Sequence, residues 1–445
     1  MKLRYISNTV MTALTVLALA SCSDDSMTLP SNPAAPTVGR EVSSSVIYQV
    51  NPRFFASNGC LDAVTAEVGN IADMGVDVLW VMPVQEQGVK DAFGSPYCIK
   101  DYKSVNSRYG TVADFKKLVD TAHSKGMKVI LDWVANHTSW DNNWITEHPE
   151  YYVKDANGNI AQASTWSDVA QLDYSNAGTR AAMTDALAWW IDQTGIDGFR
   201  CDYAEGVPHD YWSEAISSLR ASHPELIMLA ETSQKGFYND GFDMIYDWGF
   251  APAMSDAFQG GRPADLFTKA NSSWSDVPEG KQILRYVFNH DFAAENSFDR
   301  SFGSSEGIPA AYVLTAMLHG TPMIYSSMEA EDNITGTLSF FNYRTLNWSA
   351  SKRAAFKAIN SAFKATAEVR RGQLATYADA NVAVFTRSTP SQTLLVMVNT
   401  TGKEQTVKTP ITLAGEQMTD LIGGGQSTLP VTQTIAPYGY VILVK

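Results

Sequence analysis

Positive charge is scarce in this 445-residue chain: 33 Lys and Arg stand against 47 Asp and Glu, a formal net charge of −14. A phosphate backbone needs a basic footprint, and no Lys/Arg stripe supplies one, so nucleic acid is excluded as a partner. An acidic surface keeps a protein soluble and suits a neutral substrate. Cysteine is scarcer still. Only Cys22, Cys60, Cys98 and Cys201 are present, without metal-ligand spacing, and neither a Cys₂His₂ nor an HExxH pattern occurs. Long apolar runs are also lacking. The best one past the N-terminus, Ala310 to Leu318, is broken by His319, Gly320 and Pro322, which excludes a membrane-spanning helix there. No internal repeat is visible, so repeat architectures drop out.

What is present fits a globular protein: 45% hydrophobic and 18% charged residues. The length suits one large α/β barrel with a small second domain, or two to three ordinary domains. The 11 Trp, 19 Tyr and 19 Phe serve core packing first. Such rings also stack on sugar faces.

At the N-terminus Lys2 and Arg4 precede a short apolar run, Val10 to Ala20, and then Leu19-Ala20-Ser21-Cys22. The run is too short to span a bilayer and reads as a secretory signal, residues 1–21. The LASC segment resembles a bacterial lipobox, which implies lipidation at Cys22. Ser23-Asp24-Asp25 resembles the acidic tag of lipoproteins sent to the outer surface of a Gram-negative cell. Residues 22–43, rich in Ser, Pro, Ala and Thr, then read as a tether. The expectation is an exported protein that meets the outer membrane through its lipid alone. Export also permits disulfides. With Cys22 lipidated and Cys201 inside a strand, Cys60 and Cys98 are the pair that a bond would join.

From Ser44 onward short apolar runs alternate with helical patterns. The strand candidates are 45–50, 76–83, 127–133, 196–202, 226–231, 243–248, 283–291 and 321–327. Short, mostly apolar runs suit strands buried on both faces. Helical stretches such as TVADFKKLVDTAHSKG and AGTRAAMTDALAWWIDQTG lie between them. The order predicts a (β/α)₈ TIM barrel over 44–372. A polar, Trp-bearing excursion at 138–176 follows strand three and is too long for an ordinary loop. Alternating short strands after the last helix predict a C-terminal β-sandwich over 373–445.

Functional side chains in such barrels gather at the C-terminal ends of the strands. Strand three here ends in Asp132 to His137, strand four in Arg200-Cys201-Asp202, strand five in Glu231 and strand seven in Asn289-His290-Asp291. Strands disfavour Asp, and buried charge is costly, so four such ends together point to chemistry. Carboxylates with His and Arg, and no metal motif, suit glycoside hydrolysis. A retaining mechanism needs one ionised carboxylate and one protonated carboxylic acid. Arg200, two residues before Asp202, shares its side of the strand and is expected to lower its pKa. Glu231 follows the apolar run Leu226 to Ala230, whose desolvation is expected to raise its pKa.

These segments resemble the α-amylase family of glycoside hydrolases (family 13) from about Tyr48 to Glu329. Its four catalytic regions appear as LDWVANH (131–137), GFRCDYAEG (198–206), LAET (229–232) and FNHD (288–291). The resemblance implies Asp202 as nucleophile, Glu231 as acid/base and Asp291 as transition-state stabiliser. It places His137, Arg200 and His290 around the −1 glucose, with Tyr97, from GSPYCIKDY (94–102), as the platform beneath it. Tyr203 and Glu205 would lie near the acceptor subsites, and Trp140, Trp144 and Trp166 in the excursion are further platform candidates. No cofactor is required for the chemistry. Asn136 matches a calcium ligand of calcium-binding members, but Glu205-Gly206 stand where those relatives carry Lys-His, so a structural calcium stays open. The implied activity is hydrolysis of α-glucans such as starch or maltodextrins. An α-1,6-glucosidase, a cyclodextrin or pullulan hydrolase and a glucanotransferase share the same site pattern. A non-catalytic surface glucan-binding protein is the alternative of another class; it would be expected to lack Asp202, Glu231 or Asp291, and all three are present.

Overall fold

The structure is a computed structural model that describes residues 44–330, 335–348 and 352–445. The expected signal, the tether and Cys22 lie outside the described residues.

Eight parallel strands close into a barrel: β1 (Ile47–Val50), β2 (Val78–Val81), β3 (Lys128–Val134), β4 (Gly198–Asp202), β5 (Ile227–Ala230), β6 (Met244–Tyr246), β7 (Gln282–Tyr286) and β8 (Thr321–Tyr325). Each strand pairs with its sequence neighbours, and β8 closes on β1. Nearly every strand residue is buried, because one face fills the barrel and the other meets the helices. Ile47, Val78, Trp80, Ile130, Leu229, Tyr246, Leu284 and Met323 belong to the interior core. Gly198 opens β4 where the backbones come closest: a Cβ there would sit 1.9 Å from the Ile227 carbonyl oxygen.

Helices cover the outside. One of them, Val112–Ser124, starts with a capping box in which Thr111 and Asp114 bond each other's backbone N–H. Two details differ from the periodic expectation. Between β5 and β6 the crossover holds only a 3₁₀ turn, Lys235–Asp240, since residues 231–243 are too few for a full helix. The seventh strand stops at Tyr286 and not at 291, because Asn289 caps a short helix, His290–Glu295, by accepting from the Phe292 N–H at 2.8 Å.

The excursion after β3 is a three-stranded antiparallel sheet, His137–Ser139 beside Trp166–Gln171 beside Gln162–Ala163, with a short helix, Asn143–Glu147. The C-terminal part forms a six-stranded sheet from Gln373 to Val444 and a two-stranded ribbon, Gln405–Lys408 with Thr432–Ile435. Val384, Leu395, Met397, Val407, Leu413 and Leu443 form a core shared by sheet and ribbon, as in a sandwich. The sheet also meets the barrel through Phe385 on Phe267, with ring centroids 5.8 Å apart.

The Cys60–Cys98 disulfide that the sequence leaves possible is not formed; both thiols are free and buried. Cys60 begins the helix Cys60–Asp73 and donates to the Ala56 carbonyl at 3.0 Å. Cys98 instead packs with Ala92, Ala163 and Val169 and points at Asp168, toward the excursion. Sharing one end of the barrel did not bring the two Cβ vectors together.

Candidate active site

Strand register sets the site. Ala230 pairs with Cys201, so Glu231 and Asp202 stand level at the rim of β5 and β4; Val134 of β3 is level with Asp202. Arg200 lies one layer deeper and is fully buried. Its Nη1 donates to Asp132 Oδ1 and to Asp202 Oδ1, both at 2.9 Å, and its Nη2 pairs with Glu231 Oε1 at 2.7 Å. Its Nε donates to the Tyr246 hydroxyl at 3.0 Å, and the guanidinium lies 5.0 Å from the Trp80 ring centroid. One nitrogen of the fork thus hydrogen-bonds two carboxyl groups while the other faces a third as an ion pair, a spread that a point-like ammonium would not offer.

Asp202 and Glu231 thus flank one guanidinium, Asp202 on Nη1 and Glu231 on Nη2. Burial lifts both, against the pull of Arg200: Asp202 to about 6 and Glu231 to about 7, the latter also raised by Asp202. Arg200 does lower Asp202, as the sequence suggests, but burial outweighs it. Asp291 is raised as well, first by burial and then by Glu231, although its side chain keeps 43% exposure to solvent, which tempers the shift. Asp132, Asp202, Glu231 and Asp291 share one buried cation, so they do not all ionise together. Glu231 also accepts from the Tyr203 backbone N–H at 2.6 Å, and Tyr203 holds φ +38°, a left-handed value rare for such a side chain.

The opposite wall is aromatic. Tyr97 donates from its hydroxyl to Asp132 Oδ2 at 3.2 Å and stacks on His290, centroids 5.4 Å apart. His290 Nδ1 accepts from Gln49 at 2.7 Å, which leaves the hydrogen on Nε2 to donate to the Tyr97 hydroxyl at 2.8 Å. Burial pulls His137 down to about 4 and His290 well below its ordinary value, so both rings are neutral hydrogen-bonding groups.

Residues 41–409 match the family model for the α-amylase catalytic domain. The chain belongs to the α-amylase family of glycoside hydrolases. It is 27% identical to α-amylase MalA of Haloarcula japonica over 405 residues, 85% of this chain and 58% of that protein. It thus spans under two thirds of the length of this curated relative. Oligo-1,6-glucosidase of Parageobacillus thermoglucosidasius is 28% identical over 195 residues, 36% of this chain and 34% of that protein. The crystal structure of an α-amylase from Lactobacillus plantarum superposes with a TM-score of 0.80 at 28% identity, covering 91% of this chain and 99% of that one.

Within this family member the remaining candidates separate. Trp166 lies at the cleft, 5.6 Å from the His137 ring and 4.9 Å from Tyr203. Trp144 stacks on Tyr102 and meets Tyr151 edge-on, a mini-core for the excursion, and Trp140 donates to the Ser167 carbonyl at 2.8 Å. Glu205 accepts from Thr232 Oγ1 at 2.8 Å and Gln234 Nε2 at 2.9 Å, which fixes it behind Tyr203 at the β4–β5 side.

Asn136 is engaged within the protein. Its Oδ1 already accepts from Gln171 Nε2 at 3.1 Å, and among the described residues no group of three His, Cys, Asp or Glu gathers to hold a metal.

Sequence reasoning passed over several contributors. Gln49 and Trp80 are polar-tipped residues in otherwise apolar strands, and Asp132 lies within LDWVANH, one residue into the motif. That signal was available. Phe340, edge-on to Tyr97 at 5.7 Å and to His290 at 4.9 Å, comes from a loop without periodicity. Arg53 Nη1 bridges the Gly94 carbonyl at 2.8 Å and the Phe341 carbonyl at 2.7 Å, tying that loop to the one carrying Tyr97.

Proposed function

We infer that the protein is a retaining α-glucan hydrolase acting on starch or maltodextrins. The observation that carries this reading is that Asp202 and Glu231 pair with the two terminal nitrogens of one buried guanidinium, that of Arg200. Carboxyls gathered on one guanidinium suit a retaining pair, which stands about 5–5.5 Å apart, better than an inverting pair, which is set roughly 6.5–9.5 Å apart.

In the first half-reaction the Asp202 carboxylate attacks the anomeric carbon. The glycosidic C–O bond breaks, and the Glu231 proton passes to the leaving oxygen. In the second, the Glu231 carboxylate takes a proton from water, whose oxygen attacks the same carbon and frees Asp202. Asp291 binds sugar hydroxyls as positive charge builds on the ring, and Tyr97 supplies the face beneath it. Trp166 and Tyr203 border the leaving-group side, next to the acid. The names of MalA and the Lactobacillus plantarum enzyme support an α-glucan as substrate. Asp202→Asn and Glu231→Gln are each expected to cost at least about 10³-fold in kcat on a maltooligosaccharide. Near-normal turnover by either variant sinks the reading.

Export and lipid anchoring at Cys22 belong to this proposal, supported by the residues before and after that cysteine. Metabolic labelling with a fatty acid that is lost in Cys22→Ala tests it; undiminished label in the variant contradicts it.

A further inference from the structure

Gln171 closes the excursion strand that pairs with His137, and in the ladder it stands directly opposite that histidine. Its side-chain Nε2 lies 3.0 Å from the Asn136 carbonyl, 3.1 Å from Asn136 Oδ1 and 3.2 Å from the Leu172 carbonyl. Two of these acceptors are backbone oxygens, so the amide can face them only with its nitrogen. Three oxygens converging on one point are what a cation would collect, at about 2.3–2.6 Å from each. Here the point is filled by an N–H donor. Gly206 leaves the space that this needs, since a Cβ there would lie 2.4 Å from Asn136 Oδ1.

The bond reaches further. With Oδ1 turned to Gln171, Asn136 presents Nδ2 to His137 Nδ1 at 3.2 Å. Nδ1 is then an acceptor and the ring hydrogen sits on Nε2; the ring also bonds to the Tyr97 backbone, which ties it to the loop that carries Tyr97. A flipped Asn136 would reverse the tautomer.

We propose that Gln171 is a positioning residue whose amide does the work of a bridging cation, fixing Asn136 and through it the His137 tautomer, so that the site needs no divalent metal. Replacing it by Glu puts a carboxylate oxygen against three others. Oxygens about 3 Å apart are spaced like neighbours around calcium, so Gln171→Glu turns the position into a cation site.

The inference rests on the α-glucan reading only in its activity arm. Wild-type protein and the variants Gln171→Glu and Gln171→Leu are compared in EDTA and in millimolar calcium chloride. Melting temperature, maltooligosaccharide kcat/KM and the ¹⁵N shifts of His137 are read. The wild type is expected to melt and turn over alike in both, with His137 a single Nε2–H tautomer. Gln171→Glu is expected to lose at least about tenfold in kcat/KM in EDTA and to regain it, with its melting temperature, in calcium. Gln171→Leu should show mixed tautomers that calcium does not resolve. Wild-type activity or stability that EDTA removes and calcium restores overturns the proposal. So does a Gln171→Leu protein with wild-type kcat/KM and an unmixed His137 tautomer. If Gln171→Glu does not fold, those two arms still decide. A wild type inactive on every α-glucan defeats the proposed function instead, leaving the melting and ¹⁵N arms to judge Gln171.

Discussion

Asp132 is the most informative residue to perturb, because it competes with Asp202 for one nitrogen. Two bonds to Arg200 Nη1, each of 2.9 Å, hold the bonded oxygens of Asp132 and Asp202 no more than about 6 Å apart. At that separation and an effective dielectric of about 20, Coulomb's law gives about 3 kcal/mol, or about 2 pH units on the ionisation of Asp202. Asp132 itself is raised by burial to about 6, so it is only partly charged where Asp202 titrates, and about half of that effect should survive. The nucleophile must be ionised, so activity is lost as pH falls through its pKa. Asp132→Asn removes a charge that raises this pKa and leaves Arg200 to act more strongly on Asp202. The acid limb of the kcat/KM profile on a maltooligosaccharide should therefore move down by about 1 pH unit. Turnover should fall too, since Tyr97 and Trp80 both donate to the oxygen being replaced. An acid limb that stays put, or moves up, refutes this electrostatic account.

Other outcomes follow from the same geometry. The wild-type profile should be a narrow bell, with its acid limb near the Asp202 value of about 6 and its alkaline limb near the Glu231 value of about 7, as kcat/KM against pH will show. Trp166→Ala should raise KM for maltooligosaccharides about two- to tenfold, about 0.5–1.5 kcal/mol of lost stacking, with little change in melting temperature. Trp144→Ala should do the reverse, lowering the melting temperature by several degrees while leaving KM alone, because its ring packs on Tyr102 and Tyr151. Gly198→Ala should leave little soluble protein on expression, since its Cβ has no room against the Ile227 carbonyl.

The barrel was legible because each strand is a short apolar run, buried on both sides, and because four of the runs lead into residues that strands otherwise avoid. Asp202, Glu231 and Asp291 stood out for that reason, and Arg200 followed from its two-residue offset. What escaped depends on three-dimensional balance. The Arg200 effect on Asp202 has the expected sign, but only the packed structure shows that burial outweighs it. Cys60 and Cys98 leave the same end of the barrel, yet one thiol turns to its own helix and the other to the excursion, a matter of Cβ direction that spacing does not encode. Trp140, Trp144 and Trp166 look alike in the sequence; neighbours far along the chain decide which borders the cleft. Phe340 and Arg53 act through loops whose paths no periodicity marks.

The central claim is double displacement at Asp202 with Glu231 as acid/base, and the configuration of the first product tests it directly. Proton NMR during early hydrolysis of a maltooligosaccharide, before mutarotation, reads the anomeric proton of the newly released reducing end. Retention predicts that the α-anomer appears first and the β-anomer only by later equilibration. A β-anomer that appears first would mean inversion and would contradict the account.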